Sequence, residues 1–471
     1  MKLSALLRDF KPHIGGFYED ELDLIEIKLI TTKVHEASGE TLFVCAKKGL
    51  RDGHYNAHAA YSKGCRAFLV ERELSLPSDA VVLLCENSEV TGAALAARLL
   101  DHPAQTLSVY GVFGKLGKTT VCAALAQILE ANGKRAAAIL TEGVLWDGKL
   151  HRFSNTTPDG VELQYLLRQL CDQGVRHVAL EISAHMLACK GADVIPFAAL
   201  LITDAADEPA PDPAQLQEIC GEAPLIVPFR YRDAFAHRQI FTYGMGGDCA
   251  AESCAPFSSK KGFGTCFVIS LAGESECVSL PVPGDFAVQN ALAVTLLAYV
   301  AGCSVGESAR MLSRGVMWGC LQCVTVVGGR YIYRDAAYSP EMLTHAIGAL
   351  RDRTAGKLTV VIGSVGGRAF ERRAALGRAA SCADLVYLTA DNPDDESPLK
   401  ICEEMAAGMD EPWRYVLIPD REAAVQRAVW ELRPGDVLLV AGKSREDYQL
   451  LGGKRVPFDE ERLIKRIAKQ F

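Results

Sequence analysis

The stretch Tyr110-Gly111-Val112-Phe113-Gly114-Lys115-Leu116-Gly117-Lys118-Thr119-Thr120 restricts the possible folds more than any other part of the chain. The apolar, β-branched run Leu107-Ser108-Val109 ahead of it reads as a buried strand. Behind it, Val121, Leu125, Ile128 and Leu129 recur at helical spacing as far as Gly133, a C-cap residue. Strand, glycine-rich turn, Gly-Lys-Thr and helix follow in the order that a phosphate-cradling loop needs. Glycines let backbone N–H groups converge on phosphate oxygens, and the helix N-terminus adds partial positive charge. Lys118 then reaches the terminal phosphates and the Thr119 hydroxyl holds Mg²⁺, with Gly114, Gly117 and Thr120 completing the loop. Only two residues separate Gly114 from Gly117, where the general pattern has four. An ordinary strand–turn–helix with a surface lysine is the other reading of the same residues.

A loop of this kind belongs in an α/β domain, and 471 residues allow about three domains. Residues 1–103 read as a small α/β domain: strands at 42–45, 66–70 and 80–84, a helix over 56–63, and Asp52-Gly53-His54 in a strand-to-helix loop. His102-Pro103 breaks the chain there. The central domain, 104–315, adds strands at 135–140, 178–180 and 197–203, and the hydroxyl-rich loop Asn155-Thr156-Thr157-Pro158-Asp159. Its segment Glu181-Ile182-Ser183-Ala184-His185 puts a carboxylate, a hydroxyl and an imidazole at the C-terminal end of a strand, where open α/β sheets keep their chemistry. Three solvated polar residues at a strand edge are the blander alternative. In residues 316–471, strands at 331–333, 358–362, 385–389 and 437–440 alternate with helical stretches, which implies a mostly parallel, Rossmann-like sheet. Its loops carry Asp335, Arg368, Asp391-Asn392-Pro393 and Gly442-Lys443-Ser444-Arg445-Glu446. The expected class is therefore α/β, with a small N-terminal α/β domain, a central P-loop ATPase-like domain and a C-terminal Rossmann-like domain.

The net charge of −8 argues against nucleic acid or an anionic membrane as partner. No apolar run follows Met1-Lys2-Leu3-Ser4 and none reaches the length of a membrane span. The scattered cysteines fit a reducing compartment, and Cys320-Leu321-Gln322-Cys323 has no second pair to complete a metal site. A soluble cytoplasmic protein is expected.

These residues, in this order across three domains, resemble the Mur ligases, most nearly the branch that adds the third amino acid to UDP-N-acetylmuramoyl-dipeptide. Leu42-Phe43-Val44 and Asp52-Gly53-His54 are similar to that family's uridine-nucleotide domain, and 114–120 to its Gly-Thr-Asn-Gly-Lys-Thr-Thr loop. Asn155-Thr156-Thr157-Pro158 resembles its sugar-nucleotide loop, and 180–185 its Glu-Val-Ser-Ser-His segment. The resemblance implies ATP and Mg²⁺ as cofactors and a UDP-sugar-peptide or related anionic acceptor plus an amino acid as partners. The product is an amide in a peptidoglycan precursor, formed through an acyl phosphate. It assigns Lys118, Glu181 and His185 to catalysis, Asn290 to the adenine and Asp335 to the ribose. Substrate contacts fall to Asp52, Gly53, His54, Asn155, Thr156, Thr157 and Ser183. The amino acid falls to Arg368, Asp391, Asn392, Pro393, Asp394 and Glu446.

The likeness has gaps. The family's carbamylated lysine has no counterpart, because no lysine lies between Lys190 and Lys260. Glu208 stands near the family's metal-site histidine, giving Thr119, Glu181 and Glu208 as the metal set. The family's Gly-Arg-Met-Glu motif is replaced at Gly319-Cys320-Leu321-Gln322, and its sugar-loop Gln and Arg by Cys189 and Gly191. These losses leave open a nucleotide-binding or regulatory protein that does no chemistry. Asp394 occupies the place where diaminopimelate-adding members carry an arginine. A basic or neutral amino acid is therefore expected over diaminopimelate.

Overall fold

Buried apolar runs set the strands, and parallel pairing follows from the helices between them. The structure, a computed structural model, describes every residue except 11, 12, 15–18, 49, 50, 154–157, 189, 205–211, 213–215, 217, 218, 220, 236–238, 444 and 445. The chain forms two compact units, Met1–Lys118 with Leu125–Phe241 and Thr119–Ala124 with Thr242–Phe471. No helix among the described residues is long and apolar enough to cross a membrane.

The first unit opens with a small parallel sheet. Its strands are β1 (Leu29–Thr31), β2 (Thr41–Val44), β3 (Ala67–Val70) and β4 (Val81–Leu84), in the spatial order β4-β3-β2-β1. The short strand His13–Ile14 pairs antiparallel with β4. Helix α1 (Ser88–Leu99) covers it, started by the Asn87 side chain, which accepts the Val90 N–H at 3.0 Å.

The larger sheet of this unit contains β5 (Ser108–Phe113), then helix α2 (Lys118–Ala131), β6 (Ala136–Leu140), β7 (Gly143–Trp146) and β8 (Lys149–Arg152). Helix α3 (Gly160–Asp172), β9 (His177–Glu181), β10 (Phe197–Ile202) and β11 (Leu225–Pro228) follow. In space the strands run β8-β7-β6-β9-β5-β10-β11. Strands β6, β9, β5, β10 and β11 are parallel, and β7 and β8 form an antiparallel edge. The chain leaves β5 on one side and returns on the other, so the loop after β5 sits at a topological switch point, where open α/β sheets bind ligands. Helix α3 starts on a capping box formed by Asp159 and Glu162. Its N-terminus also receives side chains from helix α1 and from the loop after β1. The buried Glu89 carboxylate accepts the Gly160 N–H at 2.7 Å, Thr32 Oγ1 donates to Asp159 at 2.8 Å, and Lys33 pairs with Glu162 at 2.5 Å. A carboxylate there is favoured by the helix dipole.

The second unit begins with an antiparallel meander, β12 (Cys249–Ser259), β13 (Gly262–Leu271) and β14 (Glu274–Leu280), followed by helices α4 (Asp285–Val300) and α5 (Val305–Ser313). Its second sheet has the order β15-β16-β20-β17-β18-β19, parallel except for β15. These strands are β15 (Gln322–Val327), β16 (Arg330–Asp335), β17 (Leu358–Ser364), β18 (Leu385–Ala390), β19 (Tyr415–Leu417) and β20 (Val437–Ala441). Helices α6 (Pro340–Arg351), α7 (Phe370–Ala380), α8 (Pro398–Ala406) and α9 (Arg421–Trp430) connect them. The hairpin β21 (Tyr448–Leu451) and β22 (Lys454–Pro457) and helix α10 (Glu460–Ala468) close the chain. The α/β class and the Rossmann-like alternation expected from the sequence hold.

Candidate functional site

Gly114 and Gly117 stand at φ 133 and φ 83, in the left-handed region open to glycine. A Cβ on Gly114 would lie 2.2 Å from Thr203 Oγ1 at the end of β10, so the turn is pressed against the neighbouring strand. The Lys118 ammonium folds back over this turn and donates to Gly114 O at 2.7 Å and Lys115 O at 3.1 Å. With Lys118 first in helix α2, its charge and the helix N-terminus act on the same small volume. These are the groups that a triphosphate needs, and the close backbone approach is what the two glycines permit.

Glu181 ends β9 opposite Val112 of β5. It is buried, and its Oε2 accepts the Thr141 N–H at 3.0 Å. Ser183 Oγ accepts the Met186 N–H at 3.0 Å, so this hydroxyl caps the short helix Ala184–Ala188. His185 lies in that helix, and its side chain is outside the described residues, as are Asn155, Thr156, Thr157 and Glu208. In the small sheet, His54 Nε2 accepts the Glu71 N–H at 3.0 Å, so Nδ1 is the donor to Asp52 Oδ1 at 2.5 Å. Arg72 pairs with the other Asp52 oxygen at 2.9 Å. The described polar groups of Asp52 and His54 are thus engaged inside this domain, and a Cβ on Gly53 would meet Ala46 O at 2.7 Å. The motif builds the loop from within.

In the second unit, the Thr120 hydroxyl donates to Trp318 O at 2.7 Å. The expectation had Thr120 on the nucleotide; here its hydroxyl is engaged with the Trp318 carbonyl. Asn290 is nearly buried on α4. Asp335 ends β16, and its carboxylate accepts the Leu321 and Ala337 N–H groups at 2.6 and 2.7 Å. Burial pushes this carboxyl up to about 6, against those two donors.

The loops after β18 and β20 meet around one ammonium. Lys443, its side chain wholly buried, pairs with Asp391 at 2.9 Å and Glu446 at 3.3 Å, and donates to Asn392 Oδ1 at 2.9 Å and Tyr448 O at 2.8 Å. Asn392 Nδ2 in turn donates to Glu446 at 2.9 Å. Pro393 is buried beside Gly366, whose Cβ would stand 1.8 Å from Pro393 O. Arg368 is exposed at the edge of the same loops. Arg373 holds that loop in place. It is fully buried, pairs with Glu396 at 2.7 Å and Glu404 at 2.6 Å, and donates to Val365 O at 2.8 Å. Glu396 accepts the Gly367 N–H at 2.9 Å, and the Arg373 guanidinium holds its carboxyl down to about 2.

The expectation had Asp394 facing the incoming amino acid; in the structure its Oδ1 accepts the Gly453 N–H at 2.6 Å. Sequence reasoning quoted Lys443 in its loop without giving it a role, and missed Arg373 and the buried trio of Arg421, Glu460 and Arg334, in which Glu460 meets the two arginines at 2.8 and 3.3 Å. The partners of Arg373 and of the trio lie far along the chain, so no local pattern marks them. Among the described residues, no group of three or more His, Cys, Asp or Glu side chains is arranged to hold a metal ion without other ligands.

Two family models match the chain: "Mur ligase middle domain" over residues 112–208 and "Mur ligase, glutamate ligase domain" over residues 321–444. The UDP-N-acetylmuramoyl-L-alanyl-D-glutamate–2,6-diaminopimelate ligase of Geobacillus kaustophilus is 30% identical, with 100% of each chain covered. The UDP-N-acetylmuramyl-tripeptide synthetase 2 of Oceanobacillus iheyensis is 29% identical over 92% of each. Among solved structures, a UDP-N-acetylmuramoyl-L-alanyl-D-glutamate–2,6-diaminopimelate ligase superposes with a TM-score of 0.65 at 22% identity, covering 94% of this chain and 95% of its own. The MurF ligase of Thermotoga maritima, solved in complex with ADP, gives 0.59 at 21% identity, covering 95% and 98%.

Proposed function

The chain belongs to the Mur ligase family, and from that premise we propose that it joins an amino acid to the free carboxylate of UDP-N-acetylmuramoyl-dipeptide or a closely related acceptor. It is an ATP-dependent acid–amino-acid ligase of peptidoglycan precursor synthesis. The observation that carries the reading is the Lys118 ammonium folded over the Gly114–Gly117 turn, with the Glu181 carboxylate ending the adjacent strand.

In the overall reaction the acceptor carboxylate takes the terminal phosphoryl group of ATP, and ADP leaves. The amine then attacks the acyl carbon, phosphate departs with the C–O bond, and the amine loses a proton as the amide forms. The cofactors are ATP and Mg²⁺, and the residues fit them. The left-handed glycines give the backbone turn that a phosphate-cradling loop needs, and the Lys118 ammonium already lies over that turn. Mg²⁺ supplies charge neutralisation at the transferring phosphoryl group. Thr119 and Glu181 are the residues that would hold it, together with phosphate oxygens, the usual way in which Mg²⁺ is bound. The Lys118 ammonium neutralises charge that develops on the phosphoryl oxygens. Asn290 and Asp335 take the nucleoside, with Asp335 also fixing the turn at Leu321. Asn155, Thr156, Thr157 and Ser183 take the acceptor, and His185 is a catalytic group.

Arg368 binds the amino acid's α-carboxylate beside Asp391, Asn392, Pro393 and Glu446. Position 394 lacks the cation that would pair with a second carboxylate, which supports a neutral or basic amino acid over diaminopimelate. Domain boundaries near 103 and 315 are part of this reading, supported by the separate sheets on either side of each. So is a cytoplasmic setting, supported by cysteines outside any disulfide at Cys45, Cys254 and Cys402. Phosphate release measured with UDP-N-acetylmuramoyl-dipeptide, Mg-ATP and an amino-acid panel tests it. ATP consumption that needs both the acceptor and an amine is the expected result. Consumption without either one overturns the ligase reading, and diaminopimelate as best substrate overturns the amino-acid assignment alone.

A further inference from the structure

Hairpin β21–β22 is docked onto the loop after β18 chiefly by one residue. Asp394 stands at φ 56, and its N–H donates to Leu450 O at 2.9 Å. Its carbonyl accepts the Gly452 N–H at 3.1 Å, and its Oδ1 accepts the Gly453 N–H at 2.6 Å. Asp394 also bridges Leu451 in parallel register. One residue therefore uses its backbone donor, its backbone acceptor and its side chain on a single hairpin turn. Beside it, Asn392 Oδ1 accepts the Leu450 N–H at 3.0 Å, and Lys443 reaches Tyr448 O at 2.8 Å. Every one of these contacts joins the hairpin to residues of the 391–394 and 442–446 loops. A displaced hairpin would carry Tyr448 and Leu450 away from Asn392 and Lys443 together.

We propose that Asp394 is a positioning residue: it docks hairpin Tyr448–Pro457 beside the amino-acid loops, and the choice of amino acid rests on where that hairpin stands, not on attraction between Asp394 and a substrate amine. The inference rests on the reading of the 391–394 and 442–446 loops as the amino-acid site. It separates two properties that an aspartate combines, a correctly placed acceptor oxygen and a negative charge. Asparagine retains the first and removes the second, and alanine removes both.

The test is steady-state kinetics of the full chain with UDP-N-acetylmuramoyl-dipeptide and Mg-ATP, using the best-used neutral and the best-used basic amino acid. Asp394→Ala is expected to raise both amino-acid KM values about tenfold or more while the KM for ATP holds, because a misplaced wall loosens the site. Asp394→Asn is expected to restore those KM values and to keep the basic-to-neutral kcat/KM ratio within about twofold of the parent. A selective fall in use of the basic amino acid in Asp394→Asn would make the charge the selector and overturn the proposal. Unchanged kinetics throughout in Asp394→Ala overturn it as well. A rise confined to the KM of the UDP-linked acceptor instead overturns the assignment of the loops to the amino acid. Should Asp394→Ala not fold, the kcat/KM ratio in Asp394→Asn decides alone.

Discussion

The Leu321 N–H donates to the Asp335 carboxylate at 2.6 Å, and Leu321 is buried at φ 35, a backbone conformation that few leucines adopt. The second Asp335 oxygen accepts the Ala337 N–H at 2.7 Å. One carboxylate thus pins the strained turn that opens β15 to the end of β16. Burial raises its pKa to about 6, so the charged form is held only by those two donors.

A raised carboxyl means that the folded chain holds this proton more tightly than the unfolded chain does. The stability it contributes is complete below the ordinary value of 3.8 and is lost as the pH rises through about 6. Asp335→Asn removes that titration. Thermal unfolding midpoints of variant and parent, followed between about pH 4 and pH 6, are expected to diverge with pH. A difference that stays constant over this window counts against the assignment.

Glu396 has the opposite sign. Arg373 holds its pKa down from 4.5 to about 2, so its contribution is present above 4.5 and is lost as the pH falls towards 2. Glu396→Gln is expected to flatten the acid limb of the stability profile. Arg373→Met leaves Glu396 and Glu404 without their buried partner and is expected to cost about 3–5 kcal/mol, read from urea midpoints.

Gly114→Ala places a methyl group 2.2 Å from Thr203 Oγ1 at φ 133. The turn has to move, at a strain of about 1–3 kcal/mol. Titration calorimetry with ATP and Mg²⁺ is expected to show affinity falling in proportion. Parental affinity in this variant would mean that the turn does not seat the phosphates.

Lys118→Met removes the ammonium from the phosphate loop and leaves the apolar stem. Phosphate release with acceptor and amino acid present is expected to fall about 10²- to 10³-fold. An unfolding midpoint close to that of the parent distinguishes lost chemistry from lost fold. Turnover within a few-fold of the parent would take Lys118 out of the mechanism.

Much of this was legible in the residues themselves. The glycine turn that opens helix α2 was, because the left-handed glycines, the helix start and the lysine lie within five positions, where local backbone geometry decides everything. Strand alternation, the placement of Glu181 at a strand end and the position of Asp335 at the end of β16 were also readable, because burial and period are written locally. What each polar group does was not. Asp394 meets Gly453 across 59 positions and Thr120 meets Trp318 across 198, and the buried charges of Lys443, Arg421 and Glu460 come from a loop and two separate helix starts. The sequence by itself determined which chemical groups the chain carries and at which strand ends they emerge. Only the tertiary structure decided which face a substrate and which hold the walls, because a side chain's partner depends on where the chain returns in space.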